Sequence, residues 1–218
     1  MKKLNISKSP VIVLFFVWQA VSCYSQQNDQ ATIDKNVNAF LDKHSSQWYD
    51  MNVPASDGKL LFDLILENNY QHALEIGTST GHSGIWMAWA LSKTGGKLIT
   101  LEIDETRHKE ALENFKEAGV DHIIDARLTN AHEMVPQLKG PFDFVFSDAD
   151  KSWYQRYFLA VDPKLIVNGC YTTHNVSDRP GVRWNSDYLE FLLDLDHYET
   201  TMNNQGGGMA ISFKKSEK

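Results

Sequence analysis

Four short stretches of this 218-residue chain hold residue types that could do chemistry together. The first is Glu75-Ile-Gly-Thr-Ser-Thr-Gly-His-Ser83, a glycine-rich turn introduced by a carboxylate. Gly77 and Gly81 let the backbone pass close to a ligand with no Cβ in the way. Glu75 falls where a strand should end, and a carboxylate buried there is costly unless something pairs with it. The second is Glu102, 25 residues after Gly77 and near the end of the next apolar run. An acid in that place commonly accepts hydrogen bonds from both hydroxyls of a ribose. The third is Asp148 with Lys151, at a strand-to-helix junction, and the fourth is His174-Asn175, beyond a later strand. A glycine-rich turn alone serves packing in many α/β proteins, and the two acids direct this one to a nucleotide-like ligand. A nicotinamide dinucleotide would want G-x-G-x-x-G, and the glycine spacing here is wrong for it.

The elements that must hold these groups are legible in the periodicity. Helical spacing runs from Ala31 to Tyr49, through Ile33, Val37, Phe40 and Leu41, and again over Ala55–Asn68, with Pro54 and Ser56 or Asp57 as helix-start residues. Strands and helices then alternate. His72–Ile76, Lys97–Ile103, His122–Leu128, Phe142–Phe146 and Leu165–Thr172 read as strands, and His82–Lys93, Glu105–Ala118, Ala131–Leu138 and Ser152–Val161 as helices. Gly95-Gly96 and Gly119 close two of those helices, and Asp104 reads as an N-cap. Trp86 and Trp89 should pack against the sheet. After a helix over Asp187–Leu195, the strands His197–Met202 and Met209–Phe213 are joined by Asn203-Asn-Gln-Gly-Gly-Gly208, a hairpin signal. The expected fold is α/β and Rossmann-like. Its seven-stranded sheet has six strands parallel and one reversed, with helices on both faces and a C-terminal antiparallel hairpin. In such sheets ligands sit at the carboxyl ends of the strands, where all four stretches fall.

The first stretch, with Leu101-Glu-Ile-Asp104 and Phe142-Asp-Phe-Val-Phe-Ser-Asp-Ala-Asp-Lys151, resembles the catechol/caffeoyl-CoA type of O-methyltransferase, a class I family dependent on S-adenosylmethionine. The resemblance runs from about Val53 to Lys214, taking in Val53-Pro-Ala-Ser-Asp-Gly58 and Gly208-Met-Ala-Ile-Ser212. It implies a cofactor site of Glu75, Gly77, Ser79, Gly81, Ser83, Glu102, Ala131 and Asp148. The amino-acid end would lie on Glu75, Gly77 and Ser83, the ribose on Glu102, and the adenine near Asn130-Ala-His132. It also implies that Asp148 holds a divalent cation and that Lys151 takes a proton from the acceptor hydroxyl, as general base on a catechol-like aromatic molecule. The alternative for Lys151 is an ordinary exposed lysine at a helix start.

The family's remaining metal ligands are an Asp-Asn pair after the fifth strand, and here that place reads His174-Asn175. Magnesium prefers oxygen, whereas imidazole suits manganese, iron or zinc. The metal set Asp148, His174 and Asn175 therefore implies a softer ion or a site that has been lost. A second reading of function follows: an exported cofactor-binding protein of the same fold without metal-dependent catalysis. Arg183 and Trp184, beyond Pro180-Gly181, fall where the family places an acceptor-facing loop. The family also implies a homodimer.

The chain's first residues belong to something else. Lys2, Lys3 and Lys8 precede a mostly apolar run from Val11 to Val21, too short to span a membrane, and polar residues follow. That is the plan of an export signal over residues 1–25, leaving 26–218 as the methyltransferase-like domain with an N-terminal helical extension. Ala20-Val-Ser-Cys23 resembles a bacterial lipoprotein site, with lipid on Cys23, and simple cleavage near Ser25 is the other reading. The expected location is periplasmic or lipid-anchored, and cytoplasmic if the signal is not processed. Only Cys170 then lies within the domain, so no internal disulfide can form. A formal net charge of -7 argues against nucleic acid as a partner, leaving a small-molecule acceptor.

Overall fold

The computed structural model describes residues 29–46, 48, 51–179 and 185–218. The expected export signal and Cys23 lie outside these residues, as do Tyr49, Pro180, Gly181, Arg183 and Trp184. Helix α1 covers residues 29–43. There follow α2 (Ala55–Asn68), β1 (His72–Ile76), α3 (His82–Thr94), β2 (Lys97–Glu102), α4 (Glu105–Ala118), β3 (Ile124–Leu128) and α5 (Ala131–Gln137). The second half is β4 (Phe142–Ser147), α6 (Tyr154–Val161), β5 (Leu165–His174), α7 (Ser186–Leu193), β6 (Tyr198–Asn203) and β7 (Met209–Lys214). Among the described residues no helix is long and apolar enough to cross a membrane.

The seven strands lie in the order β3-β2-β1-β4-β5-β7-β6. Strands β1 to β5 are parallel, and β7 runs antiparallel to both β5 and β6, so one strand of seven is reversed. The hairpin thus enters the sheet by its second strand, and β7 sits between β5 and β6.

Alternation along the strands feeds two apolar layers. Ala73, Phe144, Phe146, Cys170, Met209 and Ile211 face one side, where α1 to α4 pack, with Phe40, Leu61, Ile85 and Phe115 among their contacts. Leu74, Ile76, Val145, Tyr171 and Ala210 face the other, under α5, α6 and α7, against Val135, Phe158 and Leu192. Phe144 and Phe146 are wholly buried, each contributing about 2–3 kcal/mol of transfer free energy.

Local chemistry sets the element ends. Asp104 caps α4 by accepting the Arg107 amide at 2.9 Å, and Gly95 and Gly119 close α3 and α4 with φ of 76° and 74°. Three expectations need correction. A 3-10 turn over Asp121–Ile123 takes the first residues expected of β3. Strand β5 continues two residues past Thr172, which carries His174 onto the strand itself. Trp86 and Trp89 pack against the helices rather than the sheet: both rings meet Phe62 of α2, and Trp89 Nε1 donates to Asp34 of α1 at 2.6 Å.

Candidate active site

The carboxyl ends of β1, β2 and β4 open onto a cleft of about 470 Å³, which Gly77, Ser79, Glu102, Ala131 and Asp148 help to line. Of the eight residues expected around a cofactor, these five reach the cleft. The other three stand behind it. Glu75 is fully buried, and Ser83 lies on the first turn of α3, where its hydroxyl donates to Glu75 Oε1 at 2.5 Å. Gly81 has φ 96°, and a Cβ there would come within 2.6 Å of the Phe115 ring. Gly81 therefore admits α4 to the turn.

The β1–β2 register explains how Glu75 is tolerated. Thr100 lies beside Glu75, and its hydroxyl donates to Oε2 at 2.5 Å, with Thr78 Oγ1 in turn 2.5 Å from Thr100 Oγ1. Burial pushes the Glu75 carboxyl up to about 8, against the hydrogen bonds from Ser83 and Thr100, and the nearby charges of Asp148 and Glu102 add to the rise. A cation arriving in the cleft would favour its ionised form.

Glu102 is held differently. Oε2 accepts the Ser79 amide at 2.7 Å, and Oε1 accepts the amides of Ile103 and Asp104 at 3.0 and 2.9 Å. Three backbone donors fix the carboxylate at the cleft wall, with lone pairs left over for hydroxyl donors. At the adenine end expected from the sequence, Asn130 caps α5 by accepting the His132 amide at 3.0 Å. The His132 ring stacks on Trp153 at 3.7 Å and 7°.

On the β4 side, the Asp148 amide bonds to Ile76 O at 2.9 Å, which brings its side chain next to the glycine-rich turn. Asp148 Oδ1 lies 3.3 Å from Lys151 Nζ and 3.4 Å from the Tyr154 hydroxyl. Lys151 begins a 3-10 turn capped by Asp150. It borders a second hollow of about 400 Å³ with Tyr154, Asn185 and Tyr188.

His174 sits at the end of β5, 4% exposed, with both ring nitrogens facing carboxylates. Nδ1 is 3.1 Å from Asp148 Oδ2, and Nε2 is 2.8 Å from Asp57 Oδ2. Burial draws this imidazole toward the neutral form, but hydrogen bonds and charge from Asp148 and Asp57 outweigh it and carry it up to about 9. Asn175 follows with φ 55°, and its carbonyl accepts from Asn185 Nδ2 at 2.8 Å.

Residues 24–176 match the family model described as O-methyltransferase. The chain belongs to the O-methyltransferase family. Among curated relatives of this O-methyltransferase family member, a catechol O-methyltransferase of Niastella koreensis is 41% identical over 112 residues, half of each chain. A caffeoyl-CoA O-methyltransferase of Medicago sativa is 31% identical over 164 residues, 68% of this chain and 66% of that one. Of solved structures, the O-methyltransferase TomG from Streptomyces achromogenes, in complex with SAM, superposes with a TM-score of 0.70 at 26% identity. That match covers 83% of this chain and 90% of TomG. An O-methyltransferase from Bacillus cereus in complex with SAH has a TM-score of 0.70 at 24% identity, over 83% and 91%, and shares the fold.

Two groups in this site escaped sequence reasoning. Thr100 looked like one more strand residue, and only strand register puts it on Glu75. Asp57 read as a helix-start residue, yet α2 has Pro54 at its N-cap with no side-chain cap, and Asp57 is 2% exposed and aimed at His174. A separation of 117 residues leaves no local signal of that pairing. The donor set is also a poor match for the cation that the resemblance implies. Asp148 and His174 are brought together, but each ring nitrogen already faces a carboxylate oxygen, so no imidazole lone pair is turned toward a metal. Among the described residues, no group of three or more His, Cys, Asp or Glu side chains is arranged to hold one.

Proposed function

We propose that this protein transfers a methyl group from S-adenosylmethionine to a hydroxyl of a small aromatic acceptor. The observation that carries the reading is one cleft, in which the Gly77–Ser79 turn and the amide-fixed Glu102 meet Asp148. Family membership supports the reaction type, and TomG and the Bacillus cereus protein are in complex with SAM and SAH respectively. The bound cofactor would supply an electrophilic methyl on a sulfonium. Glu102 would accept the ribose hydroxyls, and Glu75, ionised by the ammonium of the amino-acid end, would anchor that end with Ser83. Gly77 and Ser79 would let the chain lie close along the β1 turn. Asp148 and Lys151 mark the acceptor side, where Lys151 borders the hollow it shares with Tyr154 and Tyr188 and its Nζ can take the hydroxyl proton. Alignment of oxygen, methyl and sulfur by these rigid strand ends should supply much of the rate.

Calorimetry with S-adenosylhomocysteine should give one site per chain, and an absence of heat would sink the reading. Lys151→Ala should lower transfer by roughly 10²–10⁴-fold with binding of S-adenosylhomocysteine preserved. The second reading, a cofactor-binding protein without transfer, is favoured by the carboxylates that hold both His174 nitrogens. Binding of S-adenosylhomocysteine with no transfer to any phenol would select it. We propose also that residues 1–25 direct export, that Cys23 carries lipid and that the chain forms a homodimer. Cell fractionation with mass analysis of the mature N-terminus tests the first two, and light scattering tests the third.

A further inference from the structure

We infer that the His174 ring, clamped between Asp57 and Asp148, stands in the place of a divalent cation, so that this chain methylates a single acidic hydroxyl without metal chelation. The inference rests on the methyl-transfer reading above and deepens it by naming the acceptor class and the residue that sets it.

The clamp is built from three parts of the chain. Asp57 Oδ2, on the first turn of α2, faces His174 Nε2 at 2.8 Å and also accepts the Gly207 amide at 2.8 Å. Asp148 Oδ2, after β4, faces Nδ1 at 3.1 Å. Carboxylate oxygens only accept, so the ring serves both by donating from both nitrogens. The loop between β6 and β7 closes over it: a Cβ at Gly207 would stand 2.4 Å from Nε2, so there is no room on that side for an ion or its waters. Charge leads to the same conclusion. The carboxylate oxygens that would attract a dication already face the two nitrogens of the His174 ring, so an ion would have to displace that ring to reach them. To ligate it, His174 would have to give up a proton and turn from one carboxylate, leaving that acid buried without its partner.

The acceptor follows from this. Chelation is what makes two adjacent hydroxyls better than one. Where a fixed ring does the work of the cation, the Asp148 carboxylate is oriented through Oδ2, and Oδ1 stays with Lys151 and Tyr154 on the acceptor side. The hydroxyl proton passes to Lys151 Nζ, and the C–O bond forms as the C–S bond breaks. The bonding pair leaves with sulfur, giving the methyl ether, the neutral thioether and a lysine ammonium. His174 is thus a positioning residue.

The test titrates Mn2+ into the full-length chain and follows the free ion by electron paramagnetic resonance. The wild type should leave the free signal unquenched, whereas His174→Asp, which restores an oxygen donor, should bind one ion per chain and lose it again when Asp148→Asn is added. Transfer by the wild type should be unaffected by EDTA, with catechol and a monophenol used within about tenfold of each other. One Mn2+ bound by the wild type and lost in Asp148→Asn would overturn the inference, as would loss of transfer in EDTA that Mg2+ or Mn2+ restores. The wild-type titration decides the matter even if the variants do not fold. Calorimetry with S-adenosylhomocysteine, run in parallel, tells failure of this inference from failure of the methyl-transfer reading.

Discussion

Two buried histidines in this chain have opposite fates, and their partners decide which. His82 has a backbone carbonyl at one nitrogen, Val53 O at 2.8 Å, and an indole N–H at the other, Trp86 Nε1 at 3.1 Å. One nitrogen must donate and the other accept, so the ring is neutral, stacked on Trp48 at 4.3 Å. His174 faces two carboxylates and is charged. Burial pushes His82 down to about 4, against its bond to Val53. The unfolded chain binds that proton from about pH 6.5 downward while the folded one does not. Stability should therefore fall as pH drops from about 6.5 to 4, by on the order of 3 kcal/mol from this group. His82→Gln should flatten that acid limb in denaturant titrations across the same window. Glu75 works with the opposite sign. Raised to about 8, it stays protonated in the folded chain while the unfolded one ionises above about 4.5, so it lowers stability as pH rises between those values. A bound ammonium should reverse this. At neutral pH, binding of S-adenosylhomocysteine should release a proton and tighten with pH up to about 8, and Glu75→Gln should remove both effects. Calorimetry in buffers of different ionisation heat measures the release.

At the scale of elements, the site depends on how closely β1 and β4 end beside each other. Gly77 has φ 104°, and a Cβ there would stand 2.6 Å from Asp148 O. Gly77→Ala should thus cost about 1–2 kcal/mol for the backbone conformation alone. It should also push the Asp148 loop away, weakening S-adenosylhomocysteine binding more than stability. A variant that loses only stability in thermal melts would show that the turn and Asp148 are uncoupled. Strand β5 matters in the same way. Its two extra residues bring His174 level with Met209 of β7, so the C-terminal hairpin backs the strand end that carries His174.

For the whole molecule, the strand order predicts where stability resides. Strands β1 and β4 are central and flanked on both sides, with β4 buried throughout and β1 buried beyond His72, whereas β3 and β6 are edges. Native-state hydrogen exchange should protect the β1 and β4 amides to the global unfolding limit and release β3 and β6 earlier. Equal protection across the sheet would contradict this. The sequence alone was enough for the alternation of strands and helices, the reversed last strand, the Asp104 cap and five of the residues that line the cleft. All are local: a turn, a cap and a period of two or 3.6 are written in neighbouring residues. The sequence could not show that β7 lies between β5 and β6, that Thr100 answers Glu75, or that Asp57 reaches His174. Each depends on strand register or on contacts between residues far apart in the chain, and only packing of the two layers on one sheet brings those side chains together. His174 shows the difference most clearly. As a letter after a strand it could be a metal ligand, and its charge was decided by an aspartate 117 residues away.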